Sequence, residues 1–393
     1  MIDFLQVKNF KSLHNVGIKL APLNLLMGLN SMGKSSLIQV LLLLRQSYYL
    51  NNHKIYEVNG KSQNETENKE EYGARFLTLI LNGNLISLGN AKDVFYQNAE
   101  PDDDIFIFFT TTKETSIKLS YWYIQDRDFL QLKSSEPVLS QKESFNEIPL
   151  FSDSFYFLTA EHIGPAKTYS TNNKYEKINT LGNRGEFAPY YLARKGNRSD
   201  VVNEALIHPK AKSSILAHQL DAWLSEISPG TKLTVEELQG LDSIKMNFQF
   251  ETKNSYSELY APINVGFGLP YVLPLILSLL TAKKGSLVLI ENPESHLHPR
   301  GQSKLGELIA LAAQSGVQIF CETHSDHIIN GVRVAVKEKK LVNDNAALFY
   351  FDKSTENPLD TVITPIQLDK NGELDLYPSG LLDEWGNLMS KLF

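Results

Sequence analysis

Apolar positions come in short, closely spaced groups at the start of the chain. FLQVKNF alternates, and VGIKLAPLNLLMG closes on the run LNLLM, so both stretches are expected to be strands, the second ending at Gly28. From Gly33 the period changes. Leu37, Ile38, Leu41, Leu42 and Leu44 recur at helical spacing with no internal Gly or Pro, which predicts a helix from about Gly33 to Tyr48. The polar stretch from Leu50 to Tyr72 reads as a long surface loop. Between residues 76 and 133, FLTLILNG, DIFIFFTTT and TSIKLSYWYI predict a meander of antiparallel strands. SFYFLTAEHIGP (154–165) adds a strand ending in a turn, SSILAHQLDAWLSE (213–226) a helix, and SIKMNFQF a further strand.

From Leu269 onward the texture alternates between helix and strand. An apolar helix is followed by the strand SLVLI, a helix around SKLGELIALAAQSG, the strand VQIFCE, a helix after His324 and the strand AALFYF. This predicts a parallel core sheet that the N-terminal strand, loop and helix should join. The expected organisation is a discontinuous core from residues 1–84 and 260–352, an inserted β-rich and helical lobe over 85–259, and a tail over 353–393. No heptads are sustained between 85 and 260, which excludes a long coiled-coil arm.

Composition narrows the function classes. The chain has 393 residues, 42% hydrophobic and 21% charged, as a soluble globular protein does. A net charge of −7 gives no whole-protein electrostatic case for nucleic acid, and KEKK (337–340) reads as a solvated helix face. DNA contact is therefore without support from charge. The single cysteine, Cys321, leaves no intramolecular disulfide and no Cys/His zinc cluster. The runs LIQVLLLL and LPYVLPLILSLL are shorter than the roughly 20 residues that span a bilayer, so they are expected to be buried helices. MIDFLQVKNFKS lacks the pattern of a signal peptide, and a cytoplasmic protein with no membrane partner is expected.

The chemistry begins at GLNSMGKS (28–35), a full G-x-x-x-x-G-K-[ST] match after an apolar strand and before a helix. Gly28 and Gly33 permit backbone angles that aim N–H groups at phosphate oxygens, and the helix N-terminus adds partial positive charge. Lys34 is expected to bridge the β- and γ-phosphates of a nucleotide, with Ser35 giving its hydroxyl to Mg²⁺. Asn30 and Ser36 are further phosphate-contact candidates.

A metal carboxylate for such a loop belongs at the C-terminal end of a buried strand. Glu291, ending LVLIE, has that position, and Asn292 follows it where a general base is usual. An amide orients a water but cannot take its proton, and a positioned base is worth ~10²- to 10⁴-fold. Slow turnover is the expectation. Glu294 is a second candidate for base or metal-shell carboxylate, and equally for a structural cap. His296 and His298, one residue apart, are weak evidence for a metal.

At IENPESHLHP the chain resembles ABC-type P-loop ATPases of the RecF, SMC and OLD kind, whose segment reads D-E-P-E-x-H-L-H-P. VKNFKS, LNLLMGLNSMGKSSL and ETHSDHII resemble the same group in the same order, at both ends of the chain and not in its middle. The resemblance implies an α/β P-loop NTPase fold, with an ABC/SMC-head-like core sheet and an inserted lobe, acting on ATP with Mg²⁺. It assigns NVGFG (264–268) to the signature segment, so that Asn264, Gly266 and Gly268 would meet the γ-phosphate held by a second subunit and ATP would close a homodimer. It makes SHLHP a dimer-contact loop and His324 the γ-phosphate-sensing switch histidine, while Ser325 and Asp326 suit a helix cap. AEHIGP and GNRGEFAPYYL resemble segments of a bacterial subgroup that carries Arg at the position of His162. The tail through Pro378, Gly380, Leu381, Leu382 and Asp383 resembles that subgroup's tail of unassigned function, with leucines replacing an aromatic pair.

The expected function is an ATP-driven dimerising switch for a separately encoded effector, such as a nuclease, in antiphage defence or DNA maintenance. A non-hydrolysing ATP-dependent scaffold is the alternative that Asn292 favours. A stand-alone OLD-like nuclease is disfavoured, because the residues after His324 are too few for a Toprim domain.

Overall fold

The computed structural model describes residues 1–59, 75–100, 102–138, 144–171, 181–201 and 203–392. The chain divides into two compact units, Met1–Ala21 with Gly28–Ser152 and Phe349–Pro365, and Pro22–Met27 with Asp153–Leu348 and Ile366–Phe393.

In the first unit, β1 (Ile2–Phe10), β2 (Leu13–Lys19), β4 (Thr78–Ile80), β5 (Asp104–Thr111), β6 (Ser116–Trp122) and β7 (Phe129–Val138) form an antiparallel sheet in the order β2-β1-β5-β6-β7-β4. Alternation explains it: along β5 every second residue, from Ile105 to Thr111, is buried. The expected meander is present, and it is completed by β1 and β2, so the sheet crosses the boundary expected at residue 84. Helix α1 (Lys34–Asn59) runs past the expected end at Tyr48 into the stretch read as loop. The reason is Asn51, a buried polar side chain whose amide donates to Arg75 O (3.1 Å) and Thr78 O (2.9 Å). Its polarity marks an anchor of the helix at that one position. The remainder of the expected loop, from residue 60, lies outside the described residues.

The second unit holds the parallel sheet that the alternation predicts. β3 (Leu23–Gly28), β13 (Gln318–Glu322), β12 (Leu287–Glu291) and β8 (Phe155–Leu158) pair in parallel in that order; β14 (Ala346–Lys353) and β15 (Thr361–Ile366) belong mostly to the first unit. Residues Leu287 to Ile290 and all of β13 are buried, as strands covered on both faces must be. The helices on this unit are α3 (Ala188–Lys195), α4 (Leu216–Ile227), α5 (Gly268–Thr281), α6 (Pro299–Gln314), α7 (Asp326–Lys337) and α8 (Glu384–Leu392), following the short α2 (Ala91–Val94) of the first unit. A small antiparallel sheet, β10 (Thr231–Leu238), β11 (Ser243–Phe250) and β9 (Tyr169–Ser170), completes it. The helix expected over 213–226 starts at Leu216, and the strand of SFYFLT joins the parallel sheet at its edge beside β12.

Within KEKK, Lys340 is held by Glu307 and Glu338 at 2.6 Å each, so it belongs to an ion-pair cluster. No helix of the described residues is long and apolar enough to cross a membrane. LIQVLLLL and LPYVLPLILSLL lie in α1 and α5, where their apolar side chains are buried.

Candidate functional site

The phosphate loop leaves β3 at Gly28 and enters α1 at Lys34. Two glycines are fixed there by conformation and space. Gly28 has φ 129° and a Cβ on it would lie 2.3 Å from Phe351 O; Gly33 has φ 95° and a Cβ would lie 2.5 Å from Thr361 Oγ1. Ser31 also takes a left-handed φ of 64°. Thr361 Oγ1 lies 2.7 Å from Ser12 Oγ and 3.0 Å from Met32 O, so two hydroxyls support the loop.

Lys34 is 3% exposed and its Nζ donates to Gly28 O (2.9 Å) and Leu29 O (2.7 Å). A buried ammonium is costly unless hydrogen-bonded, and the loop's own carbonyls meet that need. Ser35 is half-buried and Ser36 buried in the first turn, with Ser36 N donating to Gly33 O at 3.1 Å; Asn30 is exposed at the loop's tip. The cluster combines a cation, a helix start and a glycine-fixed backbone, which is the donor set an oligophosphate needs.

In the second unit Glu291 ends β12 with its carboxylate half-buried. Burial pushes its carboxyl above the usual glutamate range, against the opposing hydrogen bonds from Ala160 N (3.1 Å) and the Thr159 side chain. Asn292 has φ 47° and donates its N–H to Glu322 O at 2.9 Å, and its Oδ1 is buried without a hydrogen-bond partner. Glu294 accepts Thr323 Oγ1 (2.8 Å) on one oxygen and His324 N (2.6 Å) on the other. The His324 side chain is exposed beyond β13, and Ser325 caps α7 by accepting from His327 N and Ile328 N.

The Gly-rich start of α5 lies against the SHLHP segment that follows β12. Asn264 closes a short 3-10 turn, Asn264 and Gly266 are exposed, and α5 begins at Gly268 with no side-chain cap, while Leu269 N and Tyr271 N donate to Gly266 O (3.3 Å) and Phe267 O (3.2 Å). A Cβ at Gly268 would lie 2.5 Å from His296 O, which requires glycine where α5 meets the SHLHP loop. His296 stands edge-on to Tyr271 at 5.0 Å and tilted to Phe267 at 5.8 Å, while His298 caps α6 through Arg300 N.

Residues to which no chemistry was assigned in the sequence connect these parts. Ala160 N holds Glu291, Ala160 O accepts the Tyr271 hydroxyl at 2.6 Å, and Tyr271 O lies 2.9 Å from His162 Nδ1. AEHIGP therefore supports both the end of β12 and the first turns of α5. Burial pulls His162 below the usual histidine range, so the ring is neutral at physiological pH, and its Nε2 is buried without a partner. The only sequence signal for this arrangement was the AEHIGP resemblance; Tyr271, Thr159 and Thr361 carried none.

A model of the family described as "AAA domain, putative AbiEii toxin, Type IV TA system" matches residues 23–330, and one described as "Protein of unknown function (DUF3696)" matches residues 341–392. No curated protein matches. Among solved structures, an SMC head bound to the C-terminal winged-helix domain of ScpA is similar at 12% identity and TM-score 0.50, covering 94% of this chain and 98% of that one. The SMC head domain from Thermotoga maritima gives 11% identity and TM-score 0.45 over 93% of this chain and 99% of that chain. An SMC head with extended coiled coil from Pyrococcus furiosus, bound to the C-terminal domain of ScpA, gives 10% and 0.49 over 100% and 99%. At such identity the first likeness is one of fold. With the phosphate loop and the parallel sheet in place and the first model spanning most of the chain, the protein belongs to this AAA domain family and has the α/β fold of the SMC-head-like P-loop ATPases.

Proposed function

We propose that the chain binds ATP at GLNSMGKS, dimerises around it and hydrolyses it slowly, so that nucleotide state switches a separately encoded effector protein. The observation that carries this reading is Lys34, a buried cation resting on the carbonyls of its own glycine-fixed loop. It can exchange those carbonyls for phosphate oxygens with little reorganisation.

In this reading the loop N–H groups, Asn30 and Ser36 hold the phosphates, and Lys34 stabilises charge on the transferred phosphoryl group. Ser35 and Glu291 would hold Mg²⁺, which neutralises phosphate charge when bound. Asn292 orients the attacking water, Glu294 fixes the backbone of His324, and the His324 side chain senses the γ-phosphate. Asn264, Gly266 and Gly268 meet the γ-phosphate of a second copy.

The SMC head similar at TM-score 0.50 is bound to the C-terminal winged-helix domain of ScpA, and a protein effector for this chain is proposed by analogy with it. Antiphage defence or DNA maintenance in the cytoplasm is the setting in which such a switch would serve. A second reading is favoured by Asn292, whose buried, unpartnered Oδ1 offers no proton acceptor of carboxylate strength: ATP locks an assembly and is not turned over. Isothermal titration with ATP and Mg²⁺ tests binding, and a Lys34→Ala chain that binds ATP as the wild type does would contradict both readings. Steady-state phosphate release separates them.

A further inference from the structure

The segment from Ile366 to Leu392 has no assigned role, and it hydrogen-bonds to Arg333 and Asp326 of α7, the helix that starts two residues after His324. Arg333 of α7 donates from Nε to Gly372 O (2.7 Å) and from Nη2 to Glu373 Oε2 (3.2 Å) and Tyr377 Oη (3.3 Å). Gly372 has φ 78°, and a Cβ there would lie 2.4 Å from Arg333 O, so the turn is pressed onto the helix backbone. Further along, Gly380 N donates to Asp383 Oδ2 at 3.0 Å and Leu381 N to Pro378 O at 3.0 Å, closing a turn with Leu381 buried inside it. That turn puts Leu382 at φ 59° and its N–H on the carboxylate of Asp326, the first residue of α7.

The switch segment is thus gripped from two sides. Glu294 holds Thr323 and the His324 backbone, and the tail holds Asp326. We propose that the C-terminal segment is a positioning element of the switch: through the Leu382 N–H on Asp326 and the Arg333 clamp it fixes where α7 begins and so where the His324 backbone stands. Displacing the tail frees the switch. The functional half rests on the reading of His324 given above; the structural half does not.

Amide hydrogen exchange of the full chain without nucleotide tests the structural half. In Asp326→Ala, amides from Thr323 to Ile328 should exchange about tenfold faster, as loss of one hydrogen bond to a charged acceptor implies. Asp326→Asn keeps an acceptor for Leu382 N–H and should keep the protection. Arg333→Ala releases the other anchor and should raise exchange in the same amides, and it carries the test if Asp326→Ala fails to fold. Unchanged exchange at 323–328 in these variants overturns the proposal, as does Asp326→Asn exchanging as fast as Asp326→Ala. Phosphate release gives the functional half: Asp326→Ala should change kcat while ATP affinity stays within about twofold of wild type. A wild-type chain that binds no ATP would sink the proposed function and leave the exchange result standing.

Discussion

Glu294 Oε1 accepts the backbone N–H of His324 at 2.6 Å while its other oxygen accepts the Thr323 hydroxyl at 2.8 Å. One carboxylate after the β12 strand thereby fixes the end of β13. Glu294→Ala should lower stability by about 1–3 kcal/mol, because a buried hydroxyl and a backbone donor lose their acceptor. Glu294→Gln retains an amide oxygen for one of them and should cost less. Chemical denaturation of the pair measures the difference; equal midpoints for Glu294→Ala and wild type would mean that the clamp contributes nothing.

Tyr271→Phe removes the hydroxyl that Ala160 O accepts and leaves the ring beside His162 and His296. The expected stability loss is about 0.5–1.5 kcal/mol, and because Ala160 N holds Glu291, the Mg²⁺ concentration for half-maximal turnover should rise. A magnesium titration of phosphate release reads this, with no shift in half-saturation as the contrary result.

Gly266 has open space where a Cβ would stand, so Gly266→Ala should fold with unchanged melting temperature. Gly266→Asp puts a negative charge where the proposed dimer brings a γ-phosphate and should abolish ATP-induced dimerisation while the monomer still binds ATP. Sedimentation velocity with and without ATP decides between these outcomes. A Gly266→Asp chain that dimerises normally removes NVGFG from the proposed interface.

Asp221 accepts Leu233 N at 2.9 Å, yet burial pushes its carboxyl up to about 6 from an ordinary 3.8. The folded state therefore keeps a proton that the unfolded chain sheds near pH 4, and stability contributed by this group is lost as pH rises from about 4 through 6. Asp221→Asn should gain ~1–3 kcal/mol at pH 7 to 8 and nothing at pH 4. Thermal melts at both pH values check the sign.

Much of this arrangement was legible in local sequence. The run LNLLM, the two glycines and the helical spacing after Lys34 specify strand, loop and helix in local sequence, and all three begin where the pattern places them, although the helix runs on to Asn59. The alternation after Leu269 likewise predicts α5, β12, α6, β13, α7 and β14 in order. What stayed hidden depends on groups far apart along the chain. Thr361, 329 residues from Met32, supports the phosphate loop, and Ala160, 131 residues from Glu291, holds the carboxylate through a backbone N–H that no side-chain pattern advertises. Asn51 misled because a buried, fully used amide has the same letter as a solvated one.

The central claim is slow ATP turnover at the phosphate loop, and steady-state phosphate release from the purified chain, with ATP and Mg²⁺, tests it most directly. The wild type should release phosphate slowly, Lys34→Ala should lose that release, and Asn292→Glu should raise the rate by ~10²-fold or more, as a restored general base implies. Release that persists unchanged in Lys34→Ala would contradict the account.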